Sequence, residues 1–209
     1  MTIKILNLYA GIGGNRKLWA GDIEVTAIEN NEEIAKIYQD FFPSDKVIIA
    51  DAQEYLLNNY SEFNFIWASP PCKSHSHIRK ELAVEIRGQS KPIYPDMTLY
   101  QIILFLQSYF KGKFVVENVC SYYEPLIKPQ ILGDHYFWSN CYLGNYVQKS
   151  KHILGTIDEM QKYKGFDLSR YKLRHRKDQL LRNCVHPKLG LHIFNMVFKT
   201  KQIKINEII

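Results

Sequence analysis

Short apolar runs bounded by turn residues alternate with amphipathic stretches from Ile3 to Val119, the pattern of an α/β chain with strands buried on both faces. Strands are predicted at Ile3–Leu8, Glu24–Glu29, Val47–Ala50, Phe65–Ala68 and Phe114–Asn118. Between them the spacing predicts a helix through Leu18 and Trp19, a helix from Glu32 to Phe41 that stops before Pro43, and a helix over Ala52–Asn58 opened by Asp51 and Glu54 as a capping pair. A strongly apolar helix follows at Thr98–Phe110. Residues 73–95 are polar, basic and broken by Gly88, Pro92 and Pro95, and read as a long functional loop.

Beyond Tyr122 the pattern changes. Pro125, Pro129 and Gly133 interrupt it, and Tyr136–Trp138 and Cys141–Leu143 read as short antiparallel strands. A basic stretch comes next, then a final helix from about Lys188 to Phe198, with Pro187 in its first turn. No repeat or low-complexity tract interrupts this order.

A chain of 209 residues with 46% hydrophobic content fits one domain with a small appendage and can bury a full core. No apolar run reaches the length of a membrane span, and no signal peptide precedes the first strand. The cysteines, Cys72, Cys120, Cys141 and Cys184, lack framework spacing, which suits a reducing, cytoplasmic setting. The net charge is +6, with Arg170, Lys172, Arg174, Arg176, Lys177 and Arg182 clustered between Lys149 and Lys188 among Tyr163, Phe166 and Tyr171. Basic residues interleaved with aromatics suit a surface that tracks phosphates, and equally an ordinary solvated face.

The chemistry concentrates at Ser69–Ser76. Pro70 and Pro71 end the Phe65–Ala68 strand abruptly and set Cys72 on a rigid turn at the strand's carboxyl edge, where open α/β sheets bind ligands. A thiol there can act as a nucleophile if Lys73, His75 or His77 favours its thiolate. Two other readings stand beside this one: a small buried hydrophobe, or a metal ligand together with His75 and His77. A closed zinc site needs four ligands at recognisable spacings, and no second Cys/His pair lies nearby, so no metal is expected.

Other strand ends add to the picture. Tyr9–Gly14 is a glycine turn that lets backbone N–H groups approach a ligand, but Arg16 stands where a dinucleotide fingerprint needs its third glycine. Glu29 ends the second strand, where a carboxylate commonly accepts from ribose hydroxyls, or else it opens the next helix. Asp51 suits either a helix cap or a ligand's amino group. Glu117 ends the fifth strand, where an unpaired buried charge would be costly.

In this order, the strand ends resemble those of DNA (cytosine-5) methyltransferases. Asn7–Gly14 resembles the family's S-adenosylmethionine loop, and Pro70-Pro71-Cys72-Lys73 its proline-cysteine-glutamine nucleophile loop. Glu117-Asn118-Val119 matches its glutamate-asparagine-valine motif, and Asn183-Cys184-Val185 resembles the late asparagine-x-valine motif. The short central region resembles compact phage- and prophage-type members. The resemblance implies an α/β, Rossmann-like class I methyltransferase with a mostly parallel twisted sheet and a reduced target-recognition segment. It divides the chain into a catalytic domain (1–140), a small basic target-recognition segment (141–180) and a return to the catalytic domain (181–209).

The resemblance implies that Cys72 adds to C6 of a cytosine flipped out of DNA, while Glu117 and Asn118 serve the same chemistry. S-adenosylmethionine would lie against Tyr9, Ala10, Gly11, Ile12, Gly13, Gly14, Glu29, Asn30, Asp51, Ala52, Pro70, Leu99, Asn183 and Val185. Lys73, Ser76, Arg79, Arg87, Arg170, Lys172, Arg174 and Arg176 would contact double-stranded DNA.

Departures from the pattern are informative. Asn7 replaces an aspartate, Lys73 replaces the glutamine, and the arginine-x-arginine motif expected near Tyr136–Asn140 is missing. Arg174-His175-Arg176 has that spacing but comes too late in the chain to carry the role. A recognition segment this short implies a short or relaxed target sequence, or a second subunit or homodimer. Transfer RNA is the alternative substrate, with Cys120 as a control for the nucleophile; an inactive nucleic-acid-binding subunit is the alternative outside enzymes.

Overall fold

The structure, a computed structural model, describes residues 2–88, 91–147 and 155–199. Parts of three expected regions therefore lie outside the described residues: the loop at 89–90, the recognition segment at 148–154 (with Lys149) and the carboxyl-terminal return at 200–209.

The elements run β1 (Ile3–Leu8), β2 (Ile23–Ile28), α1 (Glu32–Phe41), β3 (Lys46–Ile48), α2 (Ala52–Asn59), β4 (Phe65–Ala68), α3 (Thr98–Tyr109), β5 (Lys113–Val119), β6 (Gln130–Leu132), β7 (His135–Ser139), α4 (Ile157–Lys164), α5 (Lys177–Asn183) and α6 (Pro187–Phe198). They build a seven-stranded sheet in the order β3-β2-β1-β4-β5-β7-β6. The pairs β1–β2, β2–β3, β1–β4 and β4–β5 are parallel, whereas β7 pairs antiparallel with β5 and with β6. Strand order reverses direction between β1 and β4, so the crevice beyond their carboxyl ends is the switch point where such sheets bind ligands. The glycine turn leaves β1 there, and the Cys72 turn leaves β4.

Both faces of the sheet are covered. Leu6, Leu8, Ile66, Ala68 and Val116 pack under α2 and α3 through Leu56, Leu99, Ile103 and Leu106. The other face, with Ile5, Val25, Phe65, Trp67 and Val115, packs under α6 through Leu189, Ile193, Phe194 and Val197. Next to α6, α1 is covered in turn by α4 and α5, with Phe166, Leu168 and Leu181 against Ile37, Tyr38 and Phe42.

Several sequence expectations are corrected. No helix passes through Leu18 and Trp19; residues 14–18 form turns. Residues 15–22 must return the chain to β2, and Gly21 sits at φ +115°, which leaves no length for a helix and its connections. The vacated face is filled by α6: Trp19 stacks on Phe194 at 5.1 Å and donates Nε1–H to the Gly190 carbonyl at 3.2 Å. The partner strand of Tyr136–Trp138 is Gln130–Leu132 and not Cys141–Leu143, because the turn at Gly133 (φ +60°) folds the chain back first. The 73–95 stretch is not all loop, since Ile78–Ile86 coils as a π-helix. Two helices, α4 and α5, stand in the stretch read only as basic; Thr156 and Glu159 form a full capping box at the start of α4.

Gly190 shows how closely α6 is docked. A Cβ there would sit 2.4 Å from the Asn15 carbonyl oxygen, a backbone atom with no rotamer to escape into. Gly190→Ala is expected to cost about 1–3 kcal/mol through overpacking. Thermal denaturation should register this as a drop of several degrees, and an unchanged midpoint would show that α6 does not hold the sheet face this way.

Candidate active site

The glycine turn is held in a strained shape. Tyr9, at φ 55°, is the one non-glycine with positive φ among the described residues, and Gly11 and Gly13 follow at φ 54° and 82°. Glu29 locks it: Oε2 accepts from the Gly11 N–H and Oε1 from the Asn31 N–H, each at 3.0 Å. Each carboxylate oxygen keeps a further lone pair. Beneath the turn, Asn7 and Asn15 are buried against each other, with Asn15 Nδ2 donating to Asn7 Oδ1 at 2.7 Å. A side chain on Gly13 would strike the Phe42 ring, and one on Gly14 would strike Cys184 Sγ and the Val185 carbonyl. The space beside Gly11 is open.

The other cofactor candidates divide. Tyr9 is half-buried between Asp51 and Asp96; burial first, then those carboxylates, push its hydroxyl up to about 12. Asp51 caps α2, with Oδ1 accepting from the Gln53 and Glu54 N–H groups at 2.9 and 2.8 Å. Asn30 is exposed at the end of β2. Ala10, Ile12, Ala52, Leu99 and Val185 are buried in the core, so what they offer a ligand is chiefly backbone or packing support. Asn183 ends α5 with its side chain exposed.

Cys72 and Glu117 come together because β4 and β5 are neighbours in the sheet. The Asn118 amide donates to the Pro70 carbonyl at 3.0 Å and ties the two strand ends, while Asn118 Oδ1 accepts from the Val119 N–H. Asn118 therefore anchors the nucleophile turn. The His75 and Ser76 N–H groups both bond to the Cys72 carbonyl, at 3.0 and 3.1 Å. Burial, then the Glu117 carboxylate, push the Cys72 thiol up to about 11.

The expected cationic field around Cys72 is absent. Lys73 is exposed; His77 pairs with Glu81 at 2.9 Å. His75 is buried, with Nδ1 2.6 Å from the Tyr123 hydroxyl, and burial pushes its pKa down, so it carries no charge near neutrality. The same contact, with the Tyr122 N–H donating to the His75 carbonyl and a bridge between Ser76 and Ser121, fastens the turn to the chain after β5.

Glu117 is buried, and its Oε1 lies 3.6 Å from Nε2 of His135. His135 and Tyr123 were passed over in the sequence. The signal for His135 lay next to the vacant arginine motif, as the residue before Tyr136. For Tyr123 nothing local distinguishes it from Tyr122.

Of the nucleic-acid candidates, Lys73, Ser76 and Arg79 line one cavity with Lys80, Pro92 and Tyr122, beside the nucleophile turn. Arg79 donates to the Lys91 carbonyl at 3.2 Å, and its Nε is buried without a partner. Arg87 is exposed. The second group lies elsewhere and is largely neutralised. Arg170 pairs with Asp40, Arg174 with Glu33 and Arg176 with Asp178, while Lys172 is exposed. Phe166 is buried against Phe41, and Tyr163, partly buried, packs on His186, so both aromatics are engaged in packing.

Residues 3–125 match the family model described as C-5 cytosine-specific DNA methylase. No curated protein matches the chain. Among solved structures, an Entamoeba histolytica methyltransferase, EhMeth, is 12% identical, covering 95% of this chain and 98% of that one at a TM-score of 0.51. A Spodoptera frugiperda DNMT2 mutant is 23% identical over 56% of this chain and 35% of that chain, at a TM-score of 0.39. A putative DNA modification methyltransferase encoded within an E. coli prophage is 18% identical over 58% of this chain and 33% of that chain, at 0.36. The chain thus spans about a third of the length of the last two.

The resting state of Cys72 is open to measurement. In the free protein, alkylation of Cys72 by iodoacetamide, followed by peptide mass spectrometry, should keep accelerating past pH 10, as a thiol near 11 requires. Glu117→Gln removes a raising charge, so the midpoint should move down. A wild-type midpoint near 8 would overturn this electrostatic description.

Proposed function

The chain belongs to the C-5 cytosine-specific DNA methylase family, and on that premise we propose that it methylates C5 of cytosine in DNA through a covalent Cys72–C6 adduct on a flipped base. The observation that carries this reading is the corner at the ends of β4 and β5, where a thiol and a buried carboxylate share one site under a single clamp. S-adenosylmethionine, the methyl donor of this fold, supplies a sulfonium methyl group. The residues present fit it: a glycine turn with open space at Gly11, the Glu29 carboxylate beside it, and Asp51 and Tyr9 at the neighbouring strand ends.

Cytosine C5 is a weak nucleophile until a sulfur adds to C6 and turns the ring into an enamine. Cys72 makes that bond, and Glu117 hydrogen-bonds N3 and the exocyclic amine, stabilising charge as it develops. C5 takes the methyl group, its proton leaves to water, and the S–C6 bond breaks to release Cys72. Because the target atoms are inaccessible in a duplex stack, the base must be extruded into the crevice. The π-helical stretch after Cys72 lies beside that crevice, and the Lys73, Ser76, Arg79 and Lys80 cavity suits a backbone phosphate.

The recognition role assigned by sequence to 141–180 fits its packing poorly. The ion pairs of Arg170 and Arg174 and the Phe166–Phe41 ring contact run to α1, on the glycine-turn side of the sheet. Reading of the target therefore falls to the stretch around 73–95 and to a short recognition sequence, or to a second subunit. Cys72 and Glu117 are both present, which favours an active enzyme over an idle binding subunit.

Bisulfite sequencing of DNA from cells expressing the chain tests the reading and reports the target context. Wild type should leave 5-methylcytosine, and Cys72→Ala should leave none while cofactor affinity, measured by calorimetry, stays within a few-fold. Methyl transfer to transfer RNA and not to duplex DNA in parallel assays would overturn the substrate, and full activity in Cys72→Ala would overturn the mechanism.

A further inference from the structure

Glu117 faces an electrostatic problem that the proposed reaction sharpens. It is buried, and the nearby Cys72 must give up its proton during the reaction, so negative charges gather in a partly desolvated corner. Some cation has to offset them. Among the described residues, His135 is the one basic side chain within ion-pair distance of Glu117.

The register puts it there. Glu117 pairs with Phe137 and Val119 with His135, so Glu117 and His135 are diagonal neighbours on one face of the β5–β7 ladder. His135 Nε2 lies 3.6 Å from Glu117 Oε1, an ion-pair separation one small adjustment short of a hydrogen bond. Its other nitrogen, Nδ1, is buried with no hydrogen-bond partner. A buried polar atom left open in this way is costly unless a ligand completes it.

We infer that His135 is a positioning residue for Glu117, its ring Nε2 holding the Glu117 carboxylate while the flipped cytosine is activated. The inference rests on the covalent cytosine chemistry proposed above. As the Cys72 sulfur bonds C6, the C5=C6 electron pair shifts into the ring, and the proton that leaves the thiol passes by way of Glu117 to N3. The carboxylate left behind is paired by His135, and the proton returns from N3 to Glu117 before the S–C6 bond breaks. His135 thereby fills the electrostatic place for which no arginine-x-arginine motif is found near Tyr136–Asn140.

The test is covalent trapping on DNA carrying 5-fluorocytosine in the methylated context, with S-adenosylmethionine present. His135→Phe and His135→Gln should each trap about 100-fold more slowly than wild type, the scale of losing one preorganised electrostatic partner. His135→Arg, which keeps a cation, should recover most of that loss. Melting temperature and cofactor affinity should be unchanged in all three. Trapping by His135→Phe at the wild-type rate overturns the assignment, and so does equal loss in all three variants, because a steric role would spare none of them. Failure of the wild-type chain itself to trap would bring down the covalent mechanism, and this inference with it.

Discussion

The hydrogen bond from the Asn118 amide to the Pro70 carbonyl joins two neighbouring strand ends into one rigid corner. Both residues are buried, so neither group has water as a substitute, and leaving such a carbonyl bare costs about 1–3 kcal/mol. The Cys72 carbonyl is held by two following N–H groups, and the His75 carbonyl by that of Tyr122. Cys72 and Glu117 thus keep their relation whatever the stretch beyond Ile78 does. The same rigidity has a chemical cost: it desolvates the thiol and fixes a carboxylate beside it, and both push the thiol up.

The rest of the fold serves the switch point from which that corner and the glycine turn project. The turn is squeezed between Phe42 of the α1 side and the Cys184–Val185 bend, so chain from late in the sequence forms its back wall. The α4–α5 pair extends the wall over α1, where Arg170 and Tyr171 meet Asp40, and Phe166 meets Phe41 edge-on. A region with the composition of a nucleic-acid surface is thereby used largely to brace the ligand-binding side of the sheet.

Much of this was legible from pattern and motif. β4, a continuous apolar run ended by prolines, appears residue for residue, as a strand buried on both faces must. The carboxylates at Glu29 and Glu117 and the thiol at Cys72 stand at strand ends as expected. What was not legible was set by tertiary packing. The segment after Gly14 has helical composition, yet the length left before β2 forbids a helix and sends Trp19 to α6. The activating field assigned to Lys73, His75 and His77 failed because adjacency in sequence says nothing about which way a ring is buried. His135 became visible only through the antiparallel register of β7 on β5, which short-range periodicity does not encode. The ion pairs of Arg170 and Arg174 could not be read from the sequence because their acidic partners, Asp40 and Glu33, lie more than a hundred positions away.

The dependence of one sheet face on α6 also bears on how the chain comes to exist. The Trp19–Gly190 contact spans 171 positions, so at ribosomal speeds roughly 10–30 s separate the two partners' synthesis. Throughout that interval the sheet can assemble with α2 and α3 on one face, while Ile5, Phe65 and Trp67 on the other face have no roof. A nascent chain in that condition presents a broad aromatic surface to holdases and proteases. Chains that stop short of α6 are expected to leave that surface bare.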